Sequence, residues 1–193
     1  MPAIDAPTVA EHRERRRDTL VHITAEIMIE SGCRAVTMAS VAKRAGLSRT
    51  AVYEYYNSAG DIVADVIVDE MHAWCDYLDD ATRTIEDPQA RIEAWIRSAL
   101  GYVSDGRHAI VRAAADATLP PVRQAQVHAL HRQLAQPLTV ALTELNVAAP
   151  ERTTAFIWSL VDAATRRIEG GRARVDEVDA VTAFVLAGII TSL

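Results

Sequence analysis

Only two cysteines, Cys33 and Cys75, stand in 193 residues, with no metal-like spacing and no scope for a disulfide framework. That sparse usage suits a reducing compartment. No apolar run approaches the ~20 residues that cross a bilayer, and the carboxy-terminal stretch 181–190 reaches roughly half that length. The opening MPAIDAPTVAEH lacks the charged start and apolar core of a signal peptide. A cytoplasmic protein with no membrane partner is therefore expected. Strands are missing as well, since no apolar–polar alternation lasts more than a few residues. There is no Gly-rich phosphate loop, no His-Glu-x-x-His pair and no nucleophile elbow. No enzyme activity and no cofactor are expected on that basis.

What remains is helical. Half the residues are apolar, and the eight glycines and seven prolines fall mostly between periodic segments. Thr8 and Glu11 have the spacing of a capping box, which predicts a first helix from about Val9 to Ser31. A helix from Ser58 or Gly60 to about Thr84 follows a loop at 57–60, and Asp87-Pro88 opens the next, which ends near Ser104. A short helix is expected over 107–117, and a long one after Pro120-Pro121 to about Leu145, bent at Pro137. Pro150 opens another, closed by Gly170-Gly171, and Asp176 starts the last. The fold class is all-α, with about nine helices.

Formal net charge is −6, but it is unevenly placed. Residues 1–60 hold eight Lys/Arg against seven Asp/Glu, whereas residues 61–193 hold twelve against nineteen. Arg13, Arg15, Arg16 and Arg17 cluster in or before the first helix. They can reach phosphates or pair with Glu11, Glu14 and Asp18. The asymmetry fits a nucleic-acid-facing head, 1–60, and an acidic body, 61–193, turned away from it.

The segment 37–56, TMASVAKRAGLSRTAVYEYY, carries the most chemistry. Met38, Val41, Ala42 and Ala45 form one buried stripe behind a Thr37 cap, and Gly46 sits where a helix turns left-handed. Ser48 can cap a second helix, whose Val52 and Tyr56 face inward while Arg49, Thr50, Tyr53, Glu54 and Tyr55 stay outside. Two helices across a Gly-containing turn make a helix-turn-helix, which lays its second helix in the DNA major groove.

GLSRTAVYEYYNS resembles the signature of the tetracycline-repressor (TetR) family of transcriptional regulators, through Gly46, Leu47, Ser48, Ala51, Val52, Tyr53, Tyr55, Tyr56 and Ser58. Leu20, Ile23, Ile27, Met28, Gly32 and Thr37 fit upstream, so the resemblance covers about 13–65. Ala59 and Gly60 depart from it, standing where the family often has a phosphate-touching Lys and an acidic residue.

The resemblance implies an N-terminal helix-turn-helix head on a body that binds a ligand and dimerises. Expected DNA contacts are Thr37, Lys43, Ser48, Arg49, Thr50, Tyr53, Tyr55 and Asn57. An inducer pocket would draw on Met71, Trp74, Trp95, Tyr102 and His128. A four-helix homodimer interface would use Phe156, Leu160, Ala164, Val181, Val185 and Ile189. His128 and His131 share a helix face without a third ligand, so no metal is expected. The expected function is a sequence-specific regulator, a repressor released from a palindromic operator in double-stranded DNA by a small-molecule effector. Alternatives are a DNA-binding regulator with no ligand, and a helical enzyme or interaction module.

Overall fold

The computed structural model describes residues 9–104, 109–114 and 117–190. Among these the chain forms nine α-helices, one short 3-10 turn at Cys33–Ala35 and no strand. The helices are α1 (Val9–Ser31), α2 (Met38–Ala45), α3 (Arg49–Tyr53), α4 (Ala59–Thr82), α5 (Pro88–Ser104), α6 (Ala109–Ala113), α7 (Pro121–Glu144), α8 (Pro150–Glu169) and α9 (Arg174–Ile190). The Thr8 capping box lies outside the described residues. α9 begins ahead of Asp176, which with Glu177 occupies its first turn, where carboxylates complement the helix dipole. α6 ends at Ala113, ahead of the expected 117, while residues 107 and 108 lie outside the described ones.

The chain divides into two compact units, Met1–Glu70 with Ile110–Val127, and Met71–Ala109 with His128–Leu193. The first division falls inside α4, after Glu70, and residues 110–127 belong to the first unit.

In the first unit α1 packs on α2 and α2 on α3. Leu20, Met28, Val41, Val52 and Ile62 are fully buried there. Thr24 is buried as well, its hydroxyl satisfied by the Leu20 carbonyl at 2.8 Å one turn back. Gly60 is sterically constrained. A Cβ at that position would lie 3.3 Å from the Thr118 carbonyl oxygen and 3.4 Å from Pro120 Cδ. A side chain in place of Gly60 would need its neighbours to give by a few tenths of an ångström.

In the second unit α5 packs against both α8 and α9, which also pack on each other. α7 continues through Pro137, whose missing N–H removes one rung of the helix ladder. One turn earlier the Leu134 carbonyl accepts a hydrogen bond from the buried Trp95 indole at 2.9 Å.

Candidate nucleic-acid interface

The local chemistry of 37–56 builds the helix-turn-helix in the expected way. Thr37 and Ser40 form a reciprocal capping box: Thr37 Oγ1 accepts the Ser40 N–H at 3.0 Å, and Ser40 Oγ accepts the Thr37 N–H at 2.8 Å. Gly46 has φ +66°, and the Leu47 N–H closes onto the Ala42 carbonyl at 2.9 Å. Ser48 Oγ then accepts the Ala51 N–H at 3.1 Å and starts α3. α3 itself spans five residues, shorter than the two turns expected. Tyr55 and Tyr56 leave it through tight bonds back to the Val52 carbonyl.

Burial of Val52 and Tyr56 sets the outward face. Arg49, Thr50 and Tyr53 are exposed on it, as are Thr37, Lys43, Ser48 and Asn57 around it; Tyr55 is half-buried. Arg49 Nη2 donates to the Tyr53 hydroxyl at 3.0 Å, with the guanidinium 5.5 Å above the ring. The two side chains form one amphipathic, cationic platform.

The basic start of α1 divides by role. Arg13 donates to the Glu54 carbonyl at 3.0 Å and lies 5.6 Å over Tyr55. Arg17 pairs with Asp65 at 2.7 Å and lies 4.9 Å over Tyr56. Neither uses the acidic neighbours that sequence spacing offered. Arg15 and Arg16 remain exposed.

Asp65 was not foreseen, because its partners come from three distant segments. Besides Arg17 it accepts the Tyr56 hydroxyl at 2.9 Å and pairs with Arg123 at the start of α7. Burial raises the Tyr56 pKa, so the phenol remains a protonated donor. Arg44 grips Glu30 with two bonds of 2.5 and 2.6 Å and reaches Glu26 at 3.2 Å, which ties α2 to α1 and lowers the Glu30 pKa.

Residues 20–66 match the family model described as bacterial regulatory proteins, tetR family. The head is a tetR-family head. Solved structures with the same fold include a regulator of the TetR/AcrR family from Thermobifida fusca, with 19% identity over 90% of this chain and 98% of that one, at a TM-score of 0.70. The TetR family regulator PfmR from Thermus thermophilus has 17% identity over 87% and 97%, at 0.70. The regulator FadR from Bacillus subtilis, solved with stearoyl-CoA, has 15% identity over 89% and 98%, at 0.72. A search of the curated proteins gives no match. The family match covers the helix-turn-helix head, and over the rest of the chain the likeness is one of fold.

In the body, the residues expected to contact an effector differ in exposure. Met71, Trp74, Trp95 and Tyr102 are buried, and His128 is exposed. Trp74 stacks on Tyr102 at 5.3 Å and 14°, and Trp158 bridges Trp74 and Trp95 at 6.1 and 5.7 Å. Large side chains on facing helices fill the space between them with one another. A cavity of about 640 Å³ lies instead along the outer side of α4 and α7, floored by Leu78, Leu134, Pro137 and Val140 and rimmed by polar side chains. None of the five expected residues lines it. Among the described residues no group of three or more His, Cys, Asp or Glu could hold a metal ion, and no helix is long and apolar enough to cross a membrane.

The residues expected at a dimer interface also divide. Ala164, Val181, Val185 and Ile189 are buried within their own subunit, and Leu160 is half-buried. Their stripe is the one that packs inward. Phe156 at 63% and Phe184 at 68% exposure mark the outer face of α8 and α9, beside exposed Ala155, Ala180 and Ala183. The two stripes lie on different faces of α9: Phe184 precedes Val185 by one position, and that step turns a helix by ~100°.

Proposed function

We propose that this chain is a ligand-responsive transcriptional regulator, acting as a homodimer that represses by occupying a near-palindromic operator. The observation that carries this reading is the exposed Arg49, Thr50 and Tyr53 face of α3, held outward by buried Val52 and Tyr56. Arg49 can fork onto a guanine edge, and Thr50 can offer a methyl to thymine. Tyr53 and Tyr55 suit phosphates or thymine methyls. Lys43, Asn57 and the Thr37 and Ser48 hydroxyls suit backbone contacts, which fix register without reading sequence. A hydroxyl that accepts a helix N–H can still donate its own proton to a phosphate.

A single α3 reads only a few base pairs, so two copies are needed. The Phe156–Phe184 face supplies a self-complementary surface for a two-fold pair, in which the same patch serves both subunits. Ligand control draws on the α4–α7 cavity. α4 carries Asp65 near its start and the cavity residue Leu78 further along, and α7 likewise carries Arg123 and Leu134. An effector that shifts either helix would act on the Asp65 ion pairs, with a coupling of ~1–3 kcal/mol, or 5–150-fold in operator affinity.

Selection of binding sites from random duplexes tests the reading. The expected result is two inverted half-sites about one helical turn or its multiples apart. Failure to enrich any sequence, together with no salt-dependent duplex binding, would sink it.

A further inference from the structure

We propose that the α4–α7 cavity takes a small organic cation with an apolar body; this rests on the ligand-controlled reading above. The cavity of about 640 Å³ has room for a drug-sized molecule, and Leu78, Leu134, Pro137 and Val140 give it an apolar floor. The charge on its walls decides the class. Arg91 lines the cavity, but its guanidinium is committed to Glu144 at 3.0 Å and to the Ile85 and Glu86 carbonyls at 3.0 Å each. Arg83 is paired with Asp80 at 3.0 Å. Asp76 and Asp79, one turn apart on α4, have no side-chain partner among the described residues. Gln133 and Gln136 on α7 add only neutral amides.

The uncompensated charge at the cavity is therefore negative, over an apolar base. A monovalent cation would offset half of it while its body covers Pro137 and Val140, above the buried Leu78 and Leu134. A ligand with a phosphorylated head would place like charges together, with both guanidinium groups already engaged. That separates this cavity from the chemistry of stearoyl-CoA, the ligand of the Bacillus subtilis FadR structure.

Calorimetric titration of the full-length protein with tetraphenylphosphonium and with tetraphenylborate tests the proposal, because the two ions share a shape and differ in sign. The cation should bind and the anion should not. The double variant Asp76→Asn, Asp79→Asn should weaken cation binding about tenfold, as expected for two partly solvated charge pairs. Its melting temperature serves as a folding control. Equal binding of both ions, or unchanged cation binding by the double variant, overturns the proposal. Binding of stearoyl-CoA without the cation also overturns it, and leaves the ligand-controlled reading standing. Cation binding that depends on Asp76 and Asp79 but leaves operator affinity unchanged supports the site and overturns ligand control.

Discussion

Arg49 and Tyr53 hold each other in place before any DNA arrives, through the 3.0 Å hydrogen bond and the guanidinium over the ring. Each therefore loses less side-chain freedom on binding than an isolated long side chain would. Arg49→Ala should weaken operator binding by about 1–3 kcal/mol and relax base preference at one position of the half-site. Tyr53→Ala should cost a similar amount more evenly across sequences. The double variant should lose less than the sum, since either single change already breaks the platform. Gel-shift titration on the selected operator measures all three; unchanged affinity in both single variants would show the contacts lie elsewhere. Cys75 makes a different case. Burial, aided by neighbouring Asp76, pushes its thiol up to about 11. Folded and unfolded chains both hold the proton below about 9, so stability is undiminished there. It falls as pH rises from about 9 toward 11, because only the unfolded chain releases the proton. Alkylation of the native protein at pH 8 should accordingly leave Cys75 largely unmodified, with the rate climbing toward pH 11. Mass mapping of the modified cysteine reads this directly.

At the scale of elements, Asp65 does the most with one side chain. It receives α1 through Arg17, the segment after α3 through Tyr56, and the start of α7 through Arg123. Asp65 and Arg123 are only 18% and 24% exposed, so this cluster is more sheltered than a surface pair. Asp65→Asn keeps an acceptor but removes the charge that two guanidinium groups face. It should destabilise the fold by about 1–2 kcal/mol. For a chain of this size that is a melting-temperature drop of about 2–4 °C per kcal/mol. No change in melting would remove Asp65 from this role. Several helix ends were legible in sequence because each rests on local chemistry: the Thr37 cap, the left-handed Gly46, Ser48, Pro88, Pro150. The outward face of α3 was legible too, since only Val52 and Tyr56 could turn inward. The Asp65 cluster was not, as Arg17 and Arg123 stand 48 and 58 residues away in sequence. Nor was the open cavity, because nothing in sequence told which aromatic side chains would meet. Trp74, Trp95 and Tyr102 have the size and polarity of pocket residues and are buried, Trp74 against Tyr102 and Trp95 against Trp158.

At the scale of the whole molecule, an excess of acidic residues beyond position 60 disfavours DNA contact by the body, so in the proposed regulator operator affinity would come from two heads used together. For the proposed homodimer, association is a condition of operator binding, and the exposed outer face of α8 and α9 makes it testable. α9 is apolar on two sides, so periodicity alone could not tell the core stripe Val181, Val185, Ile189 from the outer one around Phe184. The two stripes predict opposite phenotypes. Val185→Ala deletes about two buried carbon atoms from the subunit core and should cost ~1–2 kcal/mol in stability while the subunits still associate. Phe184→Glu leaves that core intact but puts a charge against its symmetry mate, so like charges would face each other across the two-fold axis. Subunit association should weaken by at least about tenfold and operator affinity should fall with it, while the helical signal of the protomer is retained. Sedimentation equilibrium, read beside a melting curve and a gel shift on a full operator, separates the two variants. A Phe184→Glu protein that remains a tight dimer would place the subunit contact on another surface, and would leave the exposed pair of phenylalanines unexplained.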